Sequence, residues 1–271
     1  MKVSKATLEL IRLARCADLS DALDSMGLQD RYTMNPNMRP LFPGIRFAGY
    51  AHTQAYRPSD IRMPYLTKKE FMLLQYAPIE KGGYNALTAP GVGSYAGGPD
   101  EVLVIDAQGL TGGILGSENA MAYVNKGCVG MVIDGTLRDS PEAILQQSPV
   151  FSTVRSYIHP MGRIRIYSDN EPIVCAGAIV KPGDIVCGDD DGVLSVPAEH
   201  ADELAERAYV VQFMDRISRR RNYMRKNMPF DETVELLPVR GKYSEIMKIV
   251  EIYMPDENYG PMGELISKLD I

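Results

Sequence analysis

The sequence lacks the usual marks of a zinc, membrane or nucleic-acid protein. Its 4 cysteines lie far apart without a C-x-x-C pair, which excludes a zinc knuckle or a redox dithiol. No apolar run approaches the ~18 residues that span a bilayer, and the N-terminal residues lack a signal-peptide core. The formal net charge of -6 disfavours phosphate binding as a main role. We therefore expect a cytoplasmic protein with no membrane or nucleic-acid partner.

The composition is that of a folded chain. The 271 residues are 45% hydrophobic and 24% charged, with no low-complexity tract and no repeat at a fixed period. Three of the four cysteines lie in or beside apolar runs, which predicts buried, reduced thiols. A chain of this length can bury a substantial core.

A strand, a loop, a helix and a second strand are predicted in succession. The first strand covers residues 101–106, the loop 107–113, the helix 116–126 and the second strand 129–133. This order is typical of a βαβ unit, whose two strands run parallel. Ligands bind beyond the C-terminal ends of such strands.

Two opposite charges, Arg138 and Asp139, follow the second strand, and a helix start follows the first. Both groups are expected to open onto one crevice. The N–H groups of a helix start bind anions, arginine binds carboxylates, and aspartate holds divalent cations. The pattern predicts a site for a small carboxylate chelated to a metal, with a surface ion pair as the alternative. The helix start consists of Gly116, Ser117, Glu118 and Asn119.

A basic stretch lies near the C-terminus. Residues 212–228 hold six cations against the single anion Asp215. Such a segment could contact RNA or an acidic partner, and the alternatives are a solvated helix face or a subunit contact.

Five stretches occur in an order that resembles one protein family. The chain is similar to the RraA-like proteins, which include class II 4-hydroxy-4-methyl-2-oxoglutarate aldolases with oxaloacetate decarboxylase activity and regulators of ribonuclease E. The resemblance covers about residues 15–210. Its pieces are residues 19–27, 101–106, 127–139 with a GxVxDGxxRD pattern, 149–151 and 181–197.

The resemblance implies an architecture. It indicates a compact α/β domain of the swivelling β/β/α type over residues 1–210, with N-terminal helices. Residues 211–271 are then a helical extension packed on that domain or on a neighbour. Family members assemble as trimers or hexamers with active sites between subunits, which implies a homo-oligomer here.

The resemblance also implies roles for the crevice residues. Asp139 matches the carboxylate that binds Mg²⁺ or Mn²⁺, and Arg138 matches the arginine that contacts a 2-keto acid. The backbone from Gly116 to Asn119 matches the cradle of the substrate carboxylate. The implied reaction is aldol cleavage releasing pyruvate, or decarboxylation of oxaloacetate, through a metal-stabilised enolate.

One position departs from the family pattern. Catalytic members place a carboxylate directly after the glycine of the helix start, where this chain has Ser117. The carboxylate here is Glu118, whose side chain is rotated by about 100° along a helix. Either the turn is rebuilt so that Glu118 is catalytic, or the same metal serves different chemistry.

Two other functions stay open at this point. A metal-dependent dehydratase or isomerase of a sugar acid or hydroxy acid would need a base, for which His52 and His159 are candidates. A non-catalytic regulator that binds a protein partner is the other alternative. The insertion-like residues 57–84 and the C-terminal tail lie outside the family pattern and could cover the site.

Overall fold

The secondary structure is mixed α/β. The computed structural model describes residues 3–76, 94–95 and 97–235. The helices are α1 (Lys5–Leu13), α2 (Cys16–Ser25), α3 (Lys68–Tyr76), α4 (Ser117–Val124), α5 (Ser140–Leu145) and α6 (Ala201–Arg225). The strands are β1 (Arg39–Pro40), β2 (Phe47–Pro58), β3 (Glu101–Leu115), β4 (Gly130–Leu137), β5 (Val150–Arg155), β6 (Ile164–Asp169), β7 (Ile173–Cys175), β8 (Ala178–Val180), β9 (Ile185–Asp189) and β10 (Gly192–Val196).

Within the described residues, eight strands form one sheet. The strand order is β1-β5-β4-β3-β2-β9-β10, and β6 also pairs with β2. The four central strands β5, β4, β3 and β2 are parallel to one another. The pairings of β1 with β5, of β2 with β9 and of β9 with β10 are antiparallel. The parallel pairing predicted for the two strands of the βαβ unit is confirmed.

The predicted loop over residues 107–113 is wrong, because β3 continues to Leu115. The pairing with β4 continues across register shifts: Asp106 pairs with Asp134 before them, and Leu115 pairs with Leu137 after them. Nine residues of β3 thus lie opposite three of β4, and the surplus is absorbed in bulges. As a result, β3 and β4 end side by side.

Helices pack against the sheet in two buried clusters. Apolar residues of α1, α2 and α6 pack with those of β9 and β10 in one, and the central strands pack with residues of α4 and α5 in a second, larger one. All four cysteines are buried, as predicted. This packing holds the sheet in place. The candidate site lies at the ends of its parallel strands.

Both outer strands of the sheet are constrained. The edge strand β1 has only two residues, and one of them is Pro40. At the other edge, the Met34 N–H bonds to the Val193 carbonyl of β10, and the Ser195 N–H bonds to the Tyr32 carbonyl. The segment 32–34 therefore occupies hydrogen-bonding groups of β10.

The helix α6 runs through the predicted domain boundary at residue 210 without a break. Its basic half binds backbone of the same chain. Arg216 donates to the carbonyls of Glu232 and Glu235, and Arg219 and Arg220 donate to those of Thr233 and Val234. Part of the predicted basic surface is therefore engaged within the chain. The domain limits stay a prediction, and residues 236–271 of the predicted helical extension lie outside the described residues.

Candidate active site

The ends of β3 and β4 bring the predicted site residues together. Leu115 and Leu137 are register partners, and the Arg138 N–H donates to the Leu115 carbonyl at 3.0 Å. Gly116 and Arg138 are the next residues on the two strands. The crevice expected from the βαβ order therefore has a defined backbone frame.

Gly116 lies against the carboxylate of Asp139. A Cβ built on Gly116 would lie 2.6 Å from Asp139 Oδ2, closer than van der Waals contact allows. The backbone of Gly116, with φ -115° and ψ 172°, is one that other residues adopt readily. Space beside the carboxylate, and not backbone conformation, is what requires glycine here.

The backbone of Asp139 is left-handed, with φ 59° and ψ 39°. This conformation is uncommon outside glycine, and aspartate and asparagine tolerate it best. Asp139 stands at the N-cap of α5, yet its side chain makes no capping hydrogen bond there. The carboxylate lies against Gly116 and Arg138 and does not cap the helix.

Arg138 pairs with Asp139 through one nitrogen. Its Nε lies 3.0 Å from Asp139 Oδ1, and the two side chains are 29% and 35% exposed. Within residues 97–235 its Nη atoms have no hydrogen-bond partner. Gly113 makes room for this side chain, since a Cβ there would lie 2.7 Å from Arg138 Cδ. The guanidinium can therefore bind a carboxylate while it holds Asp139.

The start of α4 supplies N–H groups beside this pair. The first N–H groups of a helix have no intrahelical partner, and those of residues 117–119 find none elsewhere in the described chain. Ser117 is buried, Asn119 is half-buried and Glu118 is exposed. These N–H groups have the chemistry expected of an anion cradle.

Glu118 is not tied to the ion pair. Its side chain is exposed and takes part in no hydrogen bond or ion pair with described residues, Arg138 included. Ser117, which stands where the family resemblance implies a carboxylate, is buried. No contact between Glu118 and the described residues therefore supports its predicted catalytic role.

The carboxylate oxygens of Asp139 fit a hydrated Mg²⁺ or Mn²⁺. Among the described residues there is no cluster of three or more His, Cys, Asp or Glu side chains that could hold a metal. Zinc sites need three or four such ligands, whereas Mg²⁺ keeps several waters and uses one or two carboxylates plus substrate oxygens. The Asp139 carboxylate, with the space left by Gly116, matches the second pattern.

His159 lies near the ion pair, and His52 does not. Burial, followed by the charges of Arg138 and Arg163, lowers the pKa of His159 to about 4, against an opposing effect of Asp139. The Met161 N–H donates to His159 Nδ1 at 3.4 Å. His159 is thus a neutral imidazole at neutral pH, beside the candidate site.

The second candidate base, His52, belongs to another part of the sheet. Its Nε2 lies 2.9 Å from Asp169 Oδ1, and its ring packs on Tyr95 at 4.9 Å between centroids. These contacts join β2 to β6 and give His52 a structural partner. Of the two histidines, His159 is therefore the better candidate base.

The low pKa of His159 makes stability depend on pH. The ordinary histidine pKa of 6.5 applies to the unfolded chain, so between pH 6.5 and about 4 the unfolded chain binds a proton that the folded chain does not. The free energy of unfolding should therefore fall as the pH falls through this range. We expect His159→Gln to flatten that fall, as measured by urea unfolding at several pH values with a chelator present. Arg163→Gln should give an intermediate slope, and equal slopes for His159→Gln and wild type would contradict the assignment.

None of the described helices combines the length and apolar character needed to cross a bilayer.

The sequence is similar to a protein family and to several known proteins. A family model described as RraA-like, Aldolase/RraA, matches residues 16–195. The Legionella pneumophila protein DlpA is 27% identical over 215 residues, which are 76% of this chain and 30% of that protein. A Halalkalibacterium halodurans protein, provisionally named 4-hydroxy-4-methyl-2-oxoglutarate aldolase, is 32% identical over 115 residues, 42% of this chain and 54% of that protein. These matches span less than two thirds of each relative.

A solved structure shares the fold. Streptomyces coelicolor RraAS2, described as an unusual member of the RNase ES inhibitor RraA protein family, superposes with a TM-score of 0.61. The match covers 81% of this chain and 98% of that chain at 22% sequence identity. The α/β fold implied by the sequence resemblance is therefore confirmed.

Proposed function

Because the chain belongs to the RraA-like family, we propose that it is a divalent-metal-dependent lyase acting on a 2-keto acid. The reaction is aldol cleavage that releases pyruvate, decarboxylation of oxaloacetate, or both. One observation carries the proposal: the Asp139 carboxylate lies in the space left by Gly116, with the guanidinium of Arg138 bonded to it. The aldolase names of two relatives support the same class.

Asp139 is the residue that would hold Mg²⁺ or Mn²⁺, with water and substrate oxygens as further ligands. When bound, such an ion polarises the keto oxygen and lowers the cost of negative charge on it. The Asp139 carboxylate is accessible enough for this role, since 35% of its side chain is exposed.

The protein groups around Asp139 bind and orient the substrate. Arg138 has Nη donors that no described residue occupies, and these match the planar oxygens of a 2-keto acid. The N–H groups of residues 117–119 stand where they can bind the substrate carboxylate. Negative charge that develops on the keto oxygen during carbon-carbon cleavage would then face Arg138, which stabilises it.

The test is a pair of activity assays on the full chain. We expect oxaloacetate decarboxylation and cleavage of 4-hydroxy-4-methyl-2-oxoglutarate to pyruvate in the presence of Mg²⁺ or Mn²⁺, and loss of both with a chelator. Pyruvate release is measured by coupled reduction. A protein that binds Mn²⁺ but turns over neither compound would overturn the lyase proposal.

A second function is favoured by His159. A neutral imidazole near Arg138 has the protonation state of a general base, and the described residues contain no cluster of three or more His, Cys, Asp or Glu side chains that could hold a metal. A dehydratase or isomerase would remove a proton next to a carbonyl or carboxylate group. Exchange of that proton with deuterated water, without pyruvate release and lost in His159→Gln, would favour this function over the lyase.

A further inference from the structure

A second cleft lies at the β1 edge of the sheet. It has a volume of about 480 Å³, which falls within the range of small-molecule sites. It is a shallow depression that is widely open to solvent. Its lining consists of Arg39, Pro40, Leu41, Phe42, Pro43, Arg155 and Asp190.

Both arginines of this cleft are held by backbone carbonyls. Nη1 of Arg39 donates to the carbonyls of Asp190 and Asp191 at 3.5 and 3.0 Å. Nη2 of Arg155 donates to the carbonyls of Pro40 and Leu41 at 3.0 and 3.1 Å. Each guanidinium is thereby fixed through one nitrogen, which reduces the entropy lost when the others bind a ligand.

The remaining donors of these arginines are unused by the described chain. Nε and the second Nη of Arg39 and of Arg155 have no hydrogen-bond acceptor there, and neither side chain has a carboxylate partner. Both side chains are exposed, so water and salt screen their mutual repulsion, and anion binding rests on the free donors themselves. The fork of each guanidinium suits carboxylate and phosphate oxygens.

Asp190 does not neutralise the pair. Its Oδ1 accepts the Gly44 N–H at 2.8 Å, and it forms no ion pair with Arg39 or Arg155. The lining therefore carries two positive charges against one negative charge. The remainder of the wall is apolar and includes the ring of Phe42 and two prolines. A ligand that fits has an oxyanion at one end and a flat apolar part at the other.

We propose that the Arg39–Arg155 cleft binds a small organic acid, with its carboxylate or phosphate group on the two arginines and its planar carbon part against Phe42. The cleft adjoins the candidate active site, since Arg155 pairs in register with Leu137, the residue before Arg138. Arg155 bonds to the Pro40 and Leu41 carbonyls on the β1 side of β5, whereas Gly116 lies beyond β4, so the two are neighbouring but different anion sites. The proposal does not depend on the lyase function.

Phosphorus NMR titrations of inorganic phosphate and phenyl phosphate test the site on the full chain. We expect saturable binding of both, weakened about tenfold or more in Arg39→Gln and in Arg155→Gln. The matched control is Arg62→Gln, which removes an exposed arginine elsewhere and should retain binding. Arg138→Gln is measured alongside, because it reports any phosphate that binds at the other anion site. No saturable binding by wild type, or a loss confined to Arg138→Gln, would overturn the proposal.

The variant Phe42→Ala tests the apolar wall. It should leave inorganic phosphate binding unchanged and weaken phenyl phosphate binding about threefold to tenfold. Competition by benzoate and phenyl phosphate, each against the other, then decides whether carboxylates or phosphates are the natural class. Equal affinity of phenyl phosphate for wild type and Phe42→Ala would contradict the assigned orientation. Circular dichroism of each variant shows that the loss is local.

Discussion

Asp139→Asn is expected to remove divalent-metal binding and to lower turnover of the 2-keto acid by about 1,000-fold or more. The reason is that a neutral amide replaces the one carboxylate that faces the Gly116 space. A bound divalent ion contributes several kcal/mol of charge stabilisation, and each ~1.4 kcal/mol is a factor of ten in rate. Manganese binding followed by electron paramagnetic resonance, together with pyruvate release, measures both losses.

Asparagine is the informative substitution because of the backbone. It tolerates the left-handed conformation at φ 59° as well as aspartate does, whereas alanine would add strain. Asp30→Asn is the matched control, since Asp30 is an exposed aspartate with φ 61°. We expect this control to behave as wild type. Undiminished metal affinity in Asp139→Asn would refute the metal assignment.

Gly116→Ala is expected to lower turnover by about a hundredfold while the chain stays folded. The added methyl group would lie 2.6 Å from Asp139 Oδ2 and must push the carboxylate out of place. A misplacement of about 1 Å at a reacting centre can cost this factor. The backbone at φ -115° accepts alanine, so the midpoint of thermal unfolding should change little. Steady-state kinetics and thermal unfolding of one preparation separate the two effects.

Gly112→Ala is the control for this substitution. Its Cβ would meet Ile164 Cγ2 at 3.0 Å, and its three nearest atoms belong to Ile164 and Arg163 and not to Asp139, so near-normal turnover is expected. The double variant of Gly116→Ala with Asp139→Asn should be no worse than Asp139→Asn alone, because both act on one carboxylate. Wild-type turnover in Gly116→Ala would mean that the carboxylate does not act from this position.

The parallel strands and the meeting of Arg138 with the helix start follow from local patterns. Apolar runs separated by a helix predict βαβ order, and that order alone places the two strand ends together. The length of β4 was harder to predict, because Asp134 and Gly135 resemble a turn. The strand continues since the Asp134 carboxylate accepts from Thr153 Oγ1 and the Ala176 N–H, each at 3.1 Å. Those partners come from distant segments.

Other features of the site have no local pattern. His159 approaches Arg138 from the loop after β5, and its burial there, followed by the charges of Arg138 and Arg163, lowers its pKa. The need for glycine at position 116 arises from Asp139, which is more than twenty residues away in sequence. The hydrogen bonds from the α6 arginines to backbone carbonyls likewise form because the chain folds back on this helix. Contacts between distant segments, and not propensities, fix these details.

The two sheet edges also bear on solubility at high concentration. An exposed strand with free N–H and carbonyl groups is a template on which other chains can add strands and aggregate. Here one edge strand has two residues, including Pro40, which has no N–H to donate. At the other edge, the segment 32–34 bonds to Val193 and Ser195 of β10. Copies of this chain are therefore poorly suited to join into a continuous sheet through β1 or β10.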